Sequence, residues 1–110
     1  MLLDKEPHQG TSSQIVSSSF TCYRTGNIVT VCLNGEECQS DGLFSNVIPN
    51  GYKPLGETYG MGMIINATDG SRHPCYMAVQ QNGGIAAVGL VNNTYSLFRG
   101  NVYASITYCV

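Results

Sequence analysis

Cys75-Tyr76-Met77-Ala78-Val79-Gln80-Gln81-Asn82-Gly83-Gly84-Ile85-Ala86-Ala87-Val88-Gly89-Leu90 is the stretch whose reading decides the fold. Cys75, Met77 and Val79 alternate with Tyr76, Ala78 and Gln80, a period of two that an extended chain turns into two faces. Asn82-Gly83-Gly84 has the chemistry of a tight hairpin, because asparagine and glycine tolerate positive φ angles. Residues 85–90 then return as a second apolar run. The stretch predicts a hairpin, and the same pattern repeats on either side of it.

Toward the N-terminus, residues 17–24 and 28–33 flank Thr25-Gly26-Asn27, a second tight turn. Val29, Val31 and Leu33 fall on one face of the later arm, with Ile28, Thr30 and Cys32 on the other. Residues 34–42 read as a polar, solvated loop holding Glu36, Glu37 and Asp41. A brief strand over 43–48 leads into Pro49-Asn50-Gly51, whose chemistry suits a turn with positive φ at Gly51. Residues 57–66 form a longer strand containing Gly60 and Gly62, which mark a bulge or the close approach of another backbone. Thr68-Asp69-Gly70-Ser71 and Val91-Asn92-Asn93 are further turns. Residues 95–98 make a short strand, and 102–109 close the chain. There, Val102, Ala104, Ile106 and Tyr108 face one way, and Tyr103, Ser105 and Thr107 the other.

About eight strands at regular spacing predict an all-β, antiparallel sandwich or barrel. Residues 1–11 read as a polar lead-in or linker and 12–110 as the domain. No window sustains a helical period.

Composition narrows the function. Only 11 % of the 110 residues are charged, about half the usual fraction, and the net charge is −2. Nothing in that balance draws the chain to a phosphate backbone, so no nucleic acid is expected. No stretch approaches the roughly 20 apolar residues of a membrane-spanning helix, and no membrane insertion is expected. The N-terminal MLLDKEPHQG carries charges and Pro7 where a signal peptide needs an apolar core. The five cysteines (Cys22, Cys32, Cys38, Cys75, Cys109) are odd in number and lack metal-ligand spacing. Free thiols are expected, with no metal and no cofactor.

Groups able to catalyse are sparse. His8 lies in the lead-in, and His73 stands beside a turn with no accompanying Ser or Cys nucleophile motif. Consecutive carboxylates such as Glu36 and Glu37 point to opposite faces of a strand, and the loop lacks the alternating oxygen ligands of a calcium site. No catalytic residue is nominated, and the chain is expected not to be an enzyme. The best ligand-binding candidates are Asp69, Arg72, His73 and Tyr76, where one short stretch joins polar, charged and aromatic groups on a loop. The seven tyrosines can stack on sugar rings, and they equally suit strand positions and subunit interfaces.

Two segments carry a resemblance. Tyr23-Arg24-Thr25-Gly26-Asn27-Ile28-Val29-Thr30-Val31 resembles the early hairpin of C-terminal domains in bacteriophage and prophage tail, baseplate and fibre proteins. Val47-Ile48-Pro49-Asn50-Gly51-Tyr52-Lys53-Pro54-Leu55 resembles their "LPxGYRP" segment, with Lys53 where Arg is usual and Ile48 where Leu is. The resemblance implies a β-sandwich of jelly-roll type, commonly a homotrimer, at the tail or fibre tip of a virion assembled in the bacterial cytoplasm. It implies attachment to host cell-surface saccharides, or contact with other tail proteins in a purely structural role. A small bacterial lectin-like domain is the remaining alternative. Pro49, Gly51, Tyr52 and Pro54 read as architectural, two prolines around a glycine turn that fix the path between strands. Because a shaft usually precedes such heads, the chain reads as a fragment or as a small free-standing protein.

Overall fold

The structure is a computed structural model that describes residues 12–16 and 19–110; the lead-in over 1–11 lies outside the described residues. Eight strands follow in order: β1 (Ser12–Val16), β2 (Phe20–Thr25), β3 (Ile28–Cys38), β4 (Thr58–Asn66), β5 (Arg72–Val79), β6 (Ile85–Val91), β7 (Thr94–Ser96) and β8 (Gly100–Cys109). All pairings are antiparallel, and the sheet runs β1-β2-β3-β8-β4-β5-β6-β7. Two meanders, β1–β3 and β4–β7, are therefore joined by the last strand, which inserts between β3 and β4.

The turns follow from residue chemistry. Gly26 takes φ 60° between β2 and β3, and Gly83 takes φ 93° between β5 and β6. Asn92 and Asn93, at φ 51° and 63°, turn β6 into β7, which asparagine tolerates better than other side-chain-bearing residues.

The sequence reading expects two sheets facing each other; the strands are instead linked in one continuous ladder. Facing arises from curvature. Inward residues of β2, β3, β8, β4, β5 and β6, among them Cys22, Val31, Ile106, Ile64, Met77 and Ile85, share a single buried cluster. The segment expected as a strand over 43–48 makes only isolated bridges, Cys38 with Phe44 and Leu43 with Ala86. Those bridges matter, because they link the free edge of β3 to β6 and close the curled sheet. Phe44 and Ile48 plug the core from this segment, and its amides donate to Ile85 O (3.0 Å) and Gly83 O (2.8 Å).

The Pro49–Pro54 region packs beside this closure. Gly51 has φ 89°, its carbonyl accepts from Arg24 Nη1 at 2.6 Å, and the Tyr52 carbonyl accepts from Tyr108 Oη at 2.5 Å.

One sequence expectation is corrected here. Residues 34–38 are not a solvated loop but the continuation of β3. The register shifts between Asn34 and Glu36, around Gly35 at φ 86°, which is a β-bulge. The extra residue reverses the alternation, so Glu36 turns inward and Glu37 outward. Glu36 is 5 % exposed, and its carboxylate accepts from Ser19 Oγ at 2.6 Å and from Asn46 Nδ2.

Candidate functional site

Directly paired residues share a face of the sheet, so the register builds the outer surface without further assumption. Tyr59 pairs with Ala78, Met61 with Tyr76 and Met63 with Pro74 across β4–β5. Tyr76 pairs with Val88 and Ala78 with Ala86 across β5–β6. Leu90 pairs with Tyr95 across β6–β7, Met63 with Tyr103 on β8, and Leu43 bridges Ala86. The outward side of β4–β7 is thus apolar and aromatic from edge to edge. Arg72, at the start of β5, is its only charged residue.

Large side chains on this face stand in solvent: Met61 is 73 % exposed, Tyr95 68 % and Tyr59 61 %. Three tyrosine rings meet edge to face, Tyr59 with Tyr76 at 6.2 Å and Tyr76 with Tyr95 at 5.5 Å between centroids. With Gly60 and Met61 they line a hollow of about 280 Å³. T-shaped contact favours this arrangement of the rings. The phenol of Tyr59 is held above its ordinary pKa, first by its hydrogen bond to Glu57 and then by the charge of that carboxylate. Glu57 in turn lines a second hollow with Gln80, Gln81 and Asn82. Aromatic and amide groups therefore adjoin across one hydrogen bond.

The four residues singled out from sequence divide between two faces. Tyr76 stands at the centre of the tyrosine platform. Arg72 lies on the same side, two outward positions away past Pro74. His73 points to the other side, where its ring meets Phe98 edge to face at 5.8 Å and its Nε2 lies 2.8 Å from Ser71 Oγ. Asp69 stays in the turn, accepting the Ser71 amide at 2.9 Å and its hydroxyl at 2.7 Å. Those two bonds, hydroxyl first, hold the Asp69 carboxyl below its usual range. In this chain of three, the hydroxyl sits between carboxylate and imidazole. Nucleophile activation needs the imidazole in the middle, so the arrangement braces a turn.

Sequence reasoning missed Tyr59, Met61, Tyr95 and Glu57 as members of a site. The signal existed: once 75–90 is a hairpin, the outward parity of each neighbouring strand aligns them. Among the described residues, no group of three or more His, Cys, Asp or Glu could hold a metal ion. No helix among them is long and apolar enough to cross a membrane.

No family model and no curated protein matches the chain.

Proposed function

We propose that the chain is a non-catalytic attachment domain, a head of the bacteriophage tail or fibre type that binds host-surface saccharide. The observation that carries this reading is the exposed platform of Tyr59, Tyr76 and Tyr95 beside amide groups. Sugar rings present apolar C–H faces and polar rims, and a tyrosine face beside amides complements both. In this reading the halves β1-β2-β3-β8 and β4–β7 of the curled sheet are the two layers of a jelly-roll-type sandwich. The head works as a homotrimer at the virion's tail or fibre tip.

A glycan array on the purified protein, run beside the Tyr59→Ser/Tyr95→Ser double variant, tests it. Retention on defined saccharides that the double variant loses, with its far-UV circular dichroism unchanged, is the expected result. No retention on any glycan, or equal retention by the double variant, counts against saccharide attachment.

A second reading is favoured by one specific feature: Met61, Met63, Pro74, Leu90 and Leu43 extend the face well beyond the tyrosines without charge. That suits contact with another protein, as in a structural tail or baseplate module. Loss of self-association in a Met61→Asp variant, with no glycan ever bound, would favour it.

A further inference from the structure

The turn between β5 and β6 and the start of β4 border an open hollow of about 560 Å³, among whose lining residues are Glu57, Gln80, Gln81 and Asn82. That volume lies within the range of about 300–1,000 Å³ typical of small-molecule sites. From this geometry we infer that the hollow is a saccharide subsite that prefers neutral pyranosides over uronic acids and other anionic sugars; the inference rests on the attachment reading above.

Three observations support it. First, the lining is built for hydroxyl groups: the amides of Gln80 and Gln81 both donate and accept, and the Glu57 carboxylate accepts. Second, the turn that carries the amides is closed on itself before any ligand arrives. Gln80 and Gly84 close the turn through Gln80 N to Gly84 O at 2.8 Å, and Asn82 Oδ1 accepts the Gly84 amide at 2.9 Å. Third, the hollow adjoins the aromatic platform along the chain: Glu57, which lines the hollow, stands two residues before Tyr59, which lines the platform. A sugar in the hollow therefore continues into one stacked on the tyrosines.

Selectivity follows from charge. Among the described residues, Glu57 is the only charged one in the lining. A sugar carboxylate or phosphate placed there faces it in an open site, whereas a neutral hydroxyl simply donates to it. Charge repulsion at such contact weakens an anionic sugar by at least about fivefold.

Amide-resolved NMR titration of the full chain tests this at pH 7 and low salt. The probes are the methyl α-pyranosides of glucose, mannose and galactose, with methyl α-glucuronide as the matched anion. The neutral glycosides should shift amides at 57–59 and 80–84, and the glucuronide should bind at least about fivefold more weakly. Gln81→Ala should weaken the neutral glycosides about five- to tenfold. Glu57→Gln should bring the glucuronide to within about twofold of the neutral sugar. Equal binding of glucuronide by the unaltered protein overturns the inference. Shifts confined to Tyr76 and Tyr95 overturn the subsite while leaving attachment standing. Silence towards every glycoside, together with a blank glycan array, overturns both.

Discussion

Gly60 and Gly62 sit two residues apart on β4 and meet different neighbours. A Cβ on Gly62 would lie 2.4 Å from Tyr103 O and 2.5 Å from Ala104 Cβ, whereas one on Gly60 would lie 3.1 Å from Ile106 Cβ. Backbone held in the β4–β8 ladder cannot yield, but the Ile106 side chain can give by tenths of an ångström. Gly62→Ala is therefore expected to cost about 2–3 kcal/mol and Gly60→Ala about 1 kcal/mol or less, read from urea unfolding. Similar losses at both would show that β4 shifts as a unit. The buried thiols set a second expectation. Burial, and to a smaller extent a neighbouring thiol, pushes Cys22 and Cys75 up to about 11 from an ordinary value of 9.0. Above pH 9 the unfolded chain releases thiol protons that the folded chain keeps. Stability should thus be unaffected by these groups below pH 9, fall between pH 9 and about 11, and then level off. The loss is on the order of 2 kcal/mol per thiol. In Cys22→Ala/Cys75→Ala the alkaline decline, followed by thermal melts, should flatten; an unchanged decline would assign it to other groups. Native-state maleimide labelling should take exposed Cys109 well before buried Cys22, Cys38 and Cys75.

At the scale of single elements, β3 shows what a local pattern can and cannot convey. Val29, Val31 and Leu33 announce their burial by alternation, and the structure buries all three. Beyond them, the polar run at Asn34, Glu36 and Glu37 imitates a loop. The bulge at Gly35 and the partners Ser19 and Asn46 keep it in the sheet, and those partners are 17 and 10 residues away from Glu36. Long-range pairing of this kind has no signature in a short window. Glu36→Ala removes the acceptor and leaves two donors facing a buried void, so a loss of about 2–4 kcal/mol is expected by chemical denaturation. A loss below about 0.5 kcal/mol would mean that water replaces the carboxylate. Turns were legible for the opposite reason. Positive φ at Gly26, Gly83, Asn92 and Asn93 restricts residue choice locally. The candidate site fell between these cases: Tyr76 could be singled out from its stretch. Its neighbours Tyr59 and Tyr95 converge on it only through the pairing order β4-β5-β6-β7, a property of the sheet and not of any segment.

For the whole molecule, the distribution of charge is the decisive feature. Charged side chains gather elsewhere, for example in the exposed Arg99–Glu37 pair at 2.5 Å, while the outer side of β4–β7 has charge only at its margin, at Arg72 and at Glu57 beside Tyr59. A face without charge does not repel a symmetric copy of itself, and exposed aromatic and methionine side chains are enriched where subunits meet. Self-association through Met61, Met63 and Leu90 takes up the Tyr76–Tyr95 part of the platform, with which Met61 and Leu90 pair, and leaves Glu57 and the β5–β6 turn at its margin. Saccharide would then be presented with three sites at once, and multivalency would multiply weak single-site binding. Light scattering behind size exclusion at micromolar concentration should return about three times the 11.8 kDa chain mass. Met61→Asp should return the single-chain mass with unchanged far-UV circular dichroism, because Met61 is 73 % exposed in the lone chain and its replacement disturbs no core. Retention on a dense glycan surface should fall about tenfold or more in that variant. A monomeric parent protein would remove the homotrimer from the proposal, and a Met61→Asp variant of unchanged mass would move the interface to another face.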